Sequence, residues 1–130
     1  MNDHDPDHLE IVDVETTRSV LADMARYPFF RAYLVLEQGE PVATFTLLIF
    51  NSPSHQGARQ ALLEAVVVTR ERRGQGIGEA MIKLALQMSS AAGCYKMVLS
   101  SNLKRPDAHR FYQRLGFAQH GISFSIPIHK

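Results

Sequence analysis

Three glycines stand at alternate positions where a valine-rich segment meets a helical pattern. They are Gly74, Gly76 and Gly78, and the segment before them contains three consecutive valines at 66–68. Glycine lets the backbone approach a ligand closely. The N–H groups at the start of a helix favour an anion, both as hydrogen-bond donors and through the helix dipole. The junction therefore predicts a phosphate or pyrophosphate site.

Known phosphate-binding patterns narrow this prediction. A P-loop requires four residues between its glycines and a following Gly-Lys-Ser/Thr. This segment has neither, so a P-loop is excluded. A dinucleotide fingerprint is disfavoured, because Glu79 stands where its last glycine belongs and no acidic residue closes the next strand at 100–101. The pattern Arg73-x-x-Gly76-x-Gly78 remains, and its alternative is a glycine-rich turn without a ligand.

A second motif lies one predicted strand further along the chain. Asn102 is followed by an A-x-x-F-Y-x-x-x-G-F pattern over residues 108–117. The two motifs, in this order, resemble those of the GNAT superfamily of acyl-CoA-dependent N-acyltransferases. At motif level the resemblance covers roughly residues 60–119, and the segments before them match only in the order of their elements.

The resemblance implies acetyl-CoA as the acyl donor. The glycine loop would hold the CoA pyrophosphate, and the valine strand would pair through its backbone with the pantetheine arm. Asn102 would contact the same arm. The alternative is that an asparagine stands at 102 only because it suits the geometry of a turn. The residues assigned to the cofactor are Val66, Val67, Val68, Arg73, Gly74, Gln75, Gly76, Ile77, Gly78 and Asn102.

Attack of an amine on a thioester needs a deprotonated amine, a hydrogen-bond donor for the carbonyl oxygen and a proton for the leaving thiolate. The resemblance implies that Tyr112 is the general acid. The alternative is a core tyrosine on an apolar helix stripe. A backbone N–H of Val67 or Val68 would polarise the carbonyl.

Glu64 is the predicted base or amine-binding group. Its carboxylate shares strand parity with Leu62, Val66 and Val68, so it would stand on an otherwise apolar, buried surface, which suggests function. A water chain in place of Glu64 is an open alternative for the base.

Periodicity and turn residues predict an α/β fold with a mixed sheet of the α+β kind. Its first half is antiparallel, and its second half is a βαβα unit that the resemblance makes CoA-binding. The predicted strands cover 9–14, 31–37, 42–50, 60–68, 96–100, 117–119 and 122–128, and the predicted helices cover 15–26, 77 to Gly93 and 107–114.

The helical region after the first strand is shortened. The GNAT family usually places two helices there, and this chain has room for one helix of about three turns. The acceptor pocket is therefore expected to be reduced, open or completed by another subunit. The last predicted strand alternates apolar residues with others, the apolar ones being Ile122, Phe124, Ile126 and Ile128. An exposed strand of this kind can pair with a second copy of the chain, so we expect a homodimer.

Composition bounds the remaining possibilities. The chain has 130 residues, 45% of them hydrophobic, and a net charge of +1, which disfavours nucleic acid as a partner. No apolar run approaches the roughly 20 residues of a membrane helix. The only cysteine, Cys94, fits a reducing cytoplasm and lacks the company of a zinc site.

These observations predict a single domain over 1–130 with a mobile tail at 1–8, where His4 and His8 are not expected to hold a metal. The predicted function is transfer of an acetyl group from acetyl-CoA to a primary amine, on a small molecule or a protein, by direct attack in a ternary complex. The alternative is a non-catalytic acyl-CoA-binding or regulatory module. The acceptor is not specified by any motif.

Overall fold

The computed structural model describes residues 13–100 and 106–128. Asn102 and the tail at 1–8 therefore lie outside the described residues, as does most of the predicted first strand. The described chain falls into two compact units, one ending at Leu99 and the other beginning at Ser100.

Helix α1 covers Val14–Met24 and begins where the first strand was predicted to end. Asp13 caps it: an Oδ1 atom of Asp13 accepts a hydrogen bond from the Thr16 N–H at 2.7 Å. Hydrogen bonding from Thr16, by its side chain first and then by its backbone N–H, holds the pKa of the Asp13 carboxyl below its ordinary value. Val14 is therefore helical rather than extended, because the Asp13 cap starts the helix at that residue.

A four-stranded mixed sheet forms the first unit. Strands β1 (Phe30–Glu37), β2 (Glu40–Asn51), β3 (Arg59–Val68) and β4 (Cys94–Leu99) are ordered as in the sequence. The pairs β1–β2 and β2–β3 are antiparallel, and β3–β4 is parallel. The predicted change from an antiparallel first half to a parallel βαβ unit is thereby confirmed.

Helix α2 (Ile77–Ala91) makes the crossover between β3 and β4 and packs on one face of the sheet. Its buried residues are Met81, Ile82, Ala85 and Ser89, and the buried sheet residues include Phe45 and Leu63, at 1% and 2% exposure. The hydroxyl of Ser89 donates to the Ala85 carbonyl at 2.8 Å, so this buried polar group is satisfied.

The second unit contains helix α3 (Pro106–Arg114) followed by chain without regular structure up to residue 128. The strands predicted at 117–119 and 122–128 are therefore wrong. Phe117 instead gives its N–H to the carbonyl of Tyr112 at 3.1 Å, which ends the helix. In 122–128 the apolar alternation is present, but alternation makes a strand only where a neighbouring strand supplies hydrogen bonds.

Candidate functional site

Strand β3 carries a bulge at its middle. Glu64 pairs with Thr46 and Val67 pairs with Thr44, so the single residue between these threonines faces two residues of β3. One of the two is Ala65, whose φ of 53° lies in the left-handed region that alanine rarely adopts. The extra residue bends β3 and changes which side chains face the core.

The bulge coincides with the point where β3 leaves β4. The last residue pair between these parallel strands is Leu63 with Leu99. Within the described part of the chain, residues 64–68 have a strand partner only on the β2 side. The other edge of these residues is open to an extended chain that carries amides.

The direction of the backbone along this edge follows from one hydrogen bond. The Thr69 N–H donates to the carbonyl of Val42 in β2 at 2.9 Å. Successive residues of a strand present their N–H groups to opposite sides, so Val68 and Val66 direct theirs to the open edge. For polarising a carbonyl at this edge, the geometry favours Val68 over Val67.

The predicted anion loop connects this edge to α2. Gly74 and Gly76 adopt φ values of 79° and 85°, and an added Cβ at either position would meet nothing within 4 Å. The glycines are therefore required by backbone conformation rather than by crowding. Gly76 is the N-cap of α2 and provides no side-chain cap bond, so the first-turn N–H groups are arranged as in a helix N-terminal anion site.

Side chains of the loop brace it internally. Nε of Arg73 donates to the carbonyl of Val68 at 3.1 Å, and Nε2 of Gln75 donates to the carbonyl of Glu71 at 3.3 Å. Arg72 is engaged elsewhere: its Nε lies 2.7 Å from Oε1 of Glu37, at the end of β1. These contacts shape the loop and leave backbone N–H groups as the groups suited to an anion.

The side chain of Glu64 does not lie on the same face of the sheet as those of Val66 and Val68, which differs from the prediction. Val68 pairs with buried Ala43, so beyond the bulge Val66 and Val68 lie on the α2 face, whereas Glu64 pairs with Thr46 on the opposite face. Glu64 is exposed. The inference of a buried apolar surface was wrong, because one inserted residue at Ala65 reverses the alternation.

Tyr112 lies half-buried in α3. Its ring meets those of Phe111 and Phe117 edge-on, with centroids 5.4 and 5.9 Å apart. Gly116, at φ 103°, donates to Gln113, and Phe117 donates to Tyr112, which is the bond pattern of a Schellman helix end with its apolar contact. The Gly-Phe part of the motif thus fixes the ring of Tyr112.

Two further properties concern the described residues alone. In residues 13–100 and 106–128, no group of three or more His, Cys, Asp or Glu side chains could hold a metal ion. None of the helices in those ranges is sufficiently long and apolar to cross a membrane.

The open edge of β3 suits an extended chain, and the glycine-capped N-terminus of α2 suits a phosphate. Together they indicate the class of proteins that bind an extended, phosphate-bearing cofactor. Comparison with known proteins agrees with this class. Residues 1–117 match the model of the Acetyltransferase (GNAT) family. The chain therefore belongs to the GNAT acetyltransferase family, and the predicted enzyme class, an acyltransferase that uses acetyl-CoA, is confirmed at the level of the family.

Relatives with named activities support the same assignment. Glucosamine 6-phosphate N-acetyltransferase of Trypanosoma brucei brucei is 33% identical over 102 residues, 77% of this chain and 67% of that protein. Aminoalkylphosphonate N-acetyltransferase of Salmonella typhimurium is 32% identical over 114 residues, 88% of this chain and 73% of that protein. A solved acetyltransferase of Trypanosoma brucei superposes with a TM-score of 0.72 at 29% identity, covering 85% of this chain and 77% of that one.

Proposed function

We propose that this chain transfers the acetyl group of acetyl-CoA to the primary amine of a small molecule, by direct attack in a ternary complex. The observation that carries the proposal is the separation of β3 from β4 after Leu63, on the segment that leads to the glycine-capped start of α2. The open edge at 66–68 suits the pantetheine amides, and the loop at 73–78 suits the pyrophosphate.

In this proposal the reaction uses few side chains. The amine nitrogen bonds to the thioester carbonyl carbon, and the Val68 N–H stabilises the developing oxyanion. Collapse breaks the C–S bond, Tyr112 gives its proton to the departing thiolate, and Asn102 contacts the CoA arm. Glu64, exposed to solvent, accepts the proton of the amine directly or through water.

The acceptor side is the less complete part of the site. Among the described residues one helix, α1, precedes β1, and all its side chains except that of Met24 are exposed. This favours a second candidate function, a non-catalytic acyl-CoA-binding or regulatory module. The relatives named for glucosamine 6-phosphate and aminoalkylphosphonate make phosphorylated or phosphonate-bearing amines the first acceptors to test.

Cofactor binding is tested with matched glycine variants. Gly76 and Gly93 have φ values of 85° and 83°, and an added Cβ meets nothing within 4 Å at either position. Alanine at each therefore strains the backbone by a similar amount, about 1 kcal/mol. Calorimetric titration with acetyl-CoA is expected to show at least tenfold weaker binding for Gly76→Ala and unchanged binding for Gly93→Ala. Equal effects of the two variants would contradict the proposed loop.

Turnover is tested separately by thiol release from acetyl-CoA with a panel of amines. Release that depends on an amine supports the transferase. Tight acetyl-CoA binding without release for any amine favours the non-catalytic module. Absence of acetyl-CoA binding overturns both candidate functions.

We also propose a cytoplasmic homodimer. The side chains of Ile122, Phe124, Ile126 and Ile128 are 75%, 90%, 80% and 82% exposed. Such an apolar segment is suited to pair with a sheet edge of a second copy. Light scattering at micromolar concentration is expected to give the dimer mass, and Phe124→Lys is expected to give the monomer mass. A monomer for the wild-type chain would refute this proposal.

A further inference from the structure

A pocket of about 270 Å³ lies on the α2 side of the sheet, at its β1 edge. Four of its six lining residues are apolar, but one guanidinium and one phenol make polar atoms about as prominent on its wall as apolar ones. The lining residues are Phe29, Arg31, Tyr33, Leu47, Ile49 and Met88. This volume is just below the range of drug-sized ligand sites and suits a molecule about the size of one ring.

The pocket is separate from the proposed cofactor site. Met88 lies in the final turns of α2, whereas the anion loop meets the first turn at Gly76. At 1.5 Å per residue the two positions are about 18 Å apart along the helix. A ligand in this pocket would therefore not occupy the loop.

Arg31 is exposed at this pocket, and two backbone hydrogen bonds orient its side chain. Its Nη1 donates to the carbonyls of Tyr27 and Phe30, at 3.1 and 2.8 Å. Both bonds use the same nitrogen, so within the described residues the N–H groups on Nε and Nη2 have no protein acceptor. The guanidinium is thus oriented before a ligand arrives, which limits the entropy lost on binding.

A second guanidinium adds positive charge. Cζ of Arg59 lies 5.2 Å from the ring centroid of Phe29, and Nη1 of Arg59 donates to the Ala92 carbonyl at 3.1 Å. Other arginines pair with carboxylates, namely Arg18, Arg26, Arg72 and Arg110. In the described ranges neither Arg31 nor Arg59 forms such an ion pair, so no contacting carboxylate there neutralises either guanidinium.

The backbone at the pocket rim is also strained. Phe29 has a φ of 60°, and its carbonyl accepts the Ile49 N–H at 3.0 Å. A left-handed conformation at a bulky residue persists only where its surroundings hold it. The Phe29 residue held in this way both lines the pocket and carries the ring that faces Cζ of Arg59.

We propose that this pocket binds a small monocarboxylate with an apolar body, of about the size of benzoate. The carboxylate would accept hydrogen bonds from Nε and Nη2 of Arg31. The apolar body would lie against Ile49 and Met88, with the Phe29 ring beside it. The site is an accessory one, and it does not depend on the proposed acetyl transfer.

The test is titration of the full chain with benzoate and with the neutral benzamide, each with and without saturating CoA. Benzoate is expected to bind at least tenfold more tightly than benzamide, equally well in both conditions. Arg31→Gln is expected to weaken benzoate binding about tenfold or more. Arg26→Gln, which removes an exposed arginine from the turn after α1, is the matched control and should leave binding unchanged.

A second variant guards against misfolding of Arg31→Gln. Met88→Trp fills the pocket from α2 while retaining the guanidinium, and it is expected to abolish benzoate binding. Thermal unfolding confirms that each variant is folded. Three results would overturn the proposal: no benzoate binding, equal binding of benzamide, or displacement of benzoate by CoA.

Discussion

Arg73 and Val68 are joined by a hydrogen bond of 3.1 Å from the guanidinium Nε to the backbone carbonyl. The bond closes the segment between the end of β3 and the glycine loop. The strand edge suited to pantetheine and the loop suited to pyrophosphate are therefore one connected element. Arg73 acts in it as a positioning residue, whose Nε is directed at the protein backbone.

Removal of this bond is expected to weaken cofactor binding more than turnover. Arg73→Gln should raise the KM for acetyl-CoA about fivefold to tenfold, because one charge-assisted hydrogen bond is lost, and kcat should change less than twofold. Arg73→Lys keeps the charge but not the planar fork, and it should behave like Arg73→Gln. If the lysine variant instead retained the wild-type KM, the charge of Arg73 and not its geometry would be the important property.

The hydroxyl of Tyr112 can be removed without disturbing its packing. Tyr112→Phe keeps the ring against Phe111 and Phe117, so the helix end should persist. If Tyr112 protonates the thiolate, kcat should fall more than tenfold while acetyl-CoA affinity stays within twofold.

Tyr95 provides the matched control for that variant. Its hydroxyl is 2.9 Å from Nδ1 of His55, in the part of β4 paired with the start of β3. Tyr95→Phe removes the same atom from a tyrosine outside the proposed site and should leave kcat unchanged. Undiminished turnover in Tyr112→Phe would exclude Tyr112 as the acid.

Two substitutions at the bulge residue Ala65 should change the stability of the fold in opposite directions. Its φ of 53° is strained for alanine, so Ala65→Gly should stabilise the fold by up to about 1 kcal/mol. Ala65→Val adds a β-branched side chain to the same conformation and should destabilise by more than about 1 kcal/mol. Urea unfolding measures both.

Ala80 offers a control for the glycine substitution. It lies inside α2, where glycine lowers helix stability by about 1 kcal/mol. The same chemical change should therefore have opposite signs at the two positions. Destabilisation by Ala65→Gly equal to that by Ala80→Gly would show that Ala65 is not held in the left-handed region in solution.

Elements with local signals were predictable from the sequence. The hairpin of β1 and β2 turns at Gln38 and Gly39, whose φ values of 52° and 83° are both positive, as a two-residue hairpin turn requires. The α2 helix follows from the apolar period of Ile77, Ala80, Met81, Leu84, Ala85 and Met88. Its buried face is shifted from this stripe, since Leu84 is 47% exposed while Ile82, outside the stripe, is 1% exposed. Such a shift depends on how the helix docks on the sheet, which a period alone does not fix.

Features that depend on distant partners were not predictable. No residue type at 64–66 encodes a bulge, because alanine has no preference for the left-handed region, and this single insertion reversed the face assigned to Glu64. The alternation at 122–128 resembles a strand, but none of these residues has a strand partner here. The position of the glycine turn and the start of α2 after it were predicted correctly, because their signal lies in their own residues.

The reactivity of the Cys94 thiol reports the burial and the charge at the start of β4. Burial raises the pKa of the Cys94 thiol, and the positive charge of Arg59 opposes that rise. The folded chain should therefore react with iodoacetamide more slowly at pH 8.5 than an unstructured cysteine peptide. Since the native state holds the thiol proton more tightly, this group favours folding below its ordinary pKa, and that contribution is lost as pH rises through the higher native pKa.

The Arg59→Gln variant distinguishes two effects of Arg59 on Cys94, its positive charge and its steric shielding of the thiol. Loss of the guanidinium should raise the thiol pKa further, so alkylation at pH 8.5 should slow by severalfold, and its pH profile should move upward. Arg26 lies in the turn after α1 and pairs with Asp23, so Arg26→Gln should leave the rate unchanged. Faster alkylation in Arg59→Gln would mean that Arg59 shields Cys94 sterically, through its bond to the Ala92 carbonyl, and that its charge is the weaker influence.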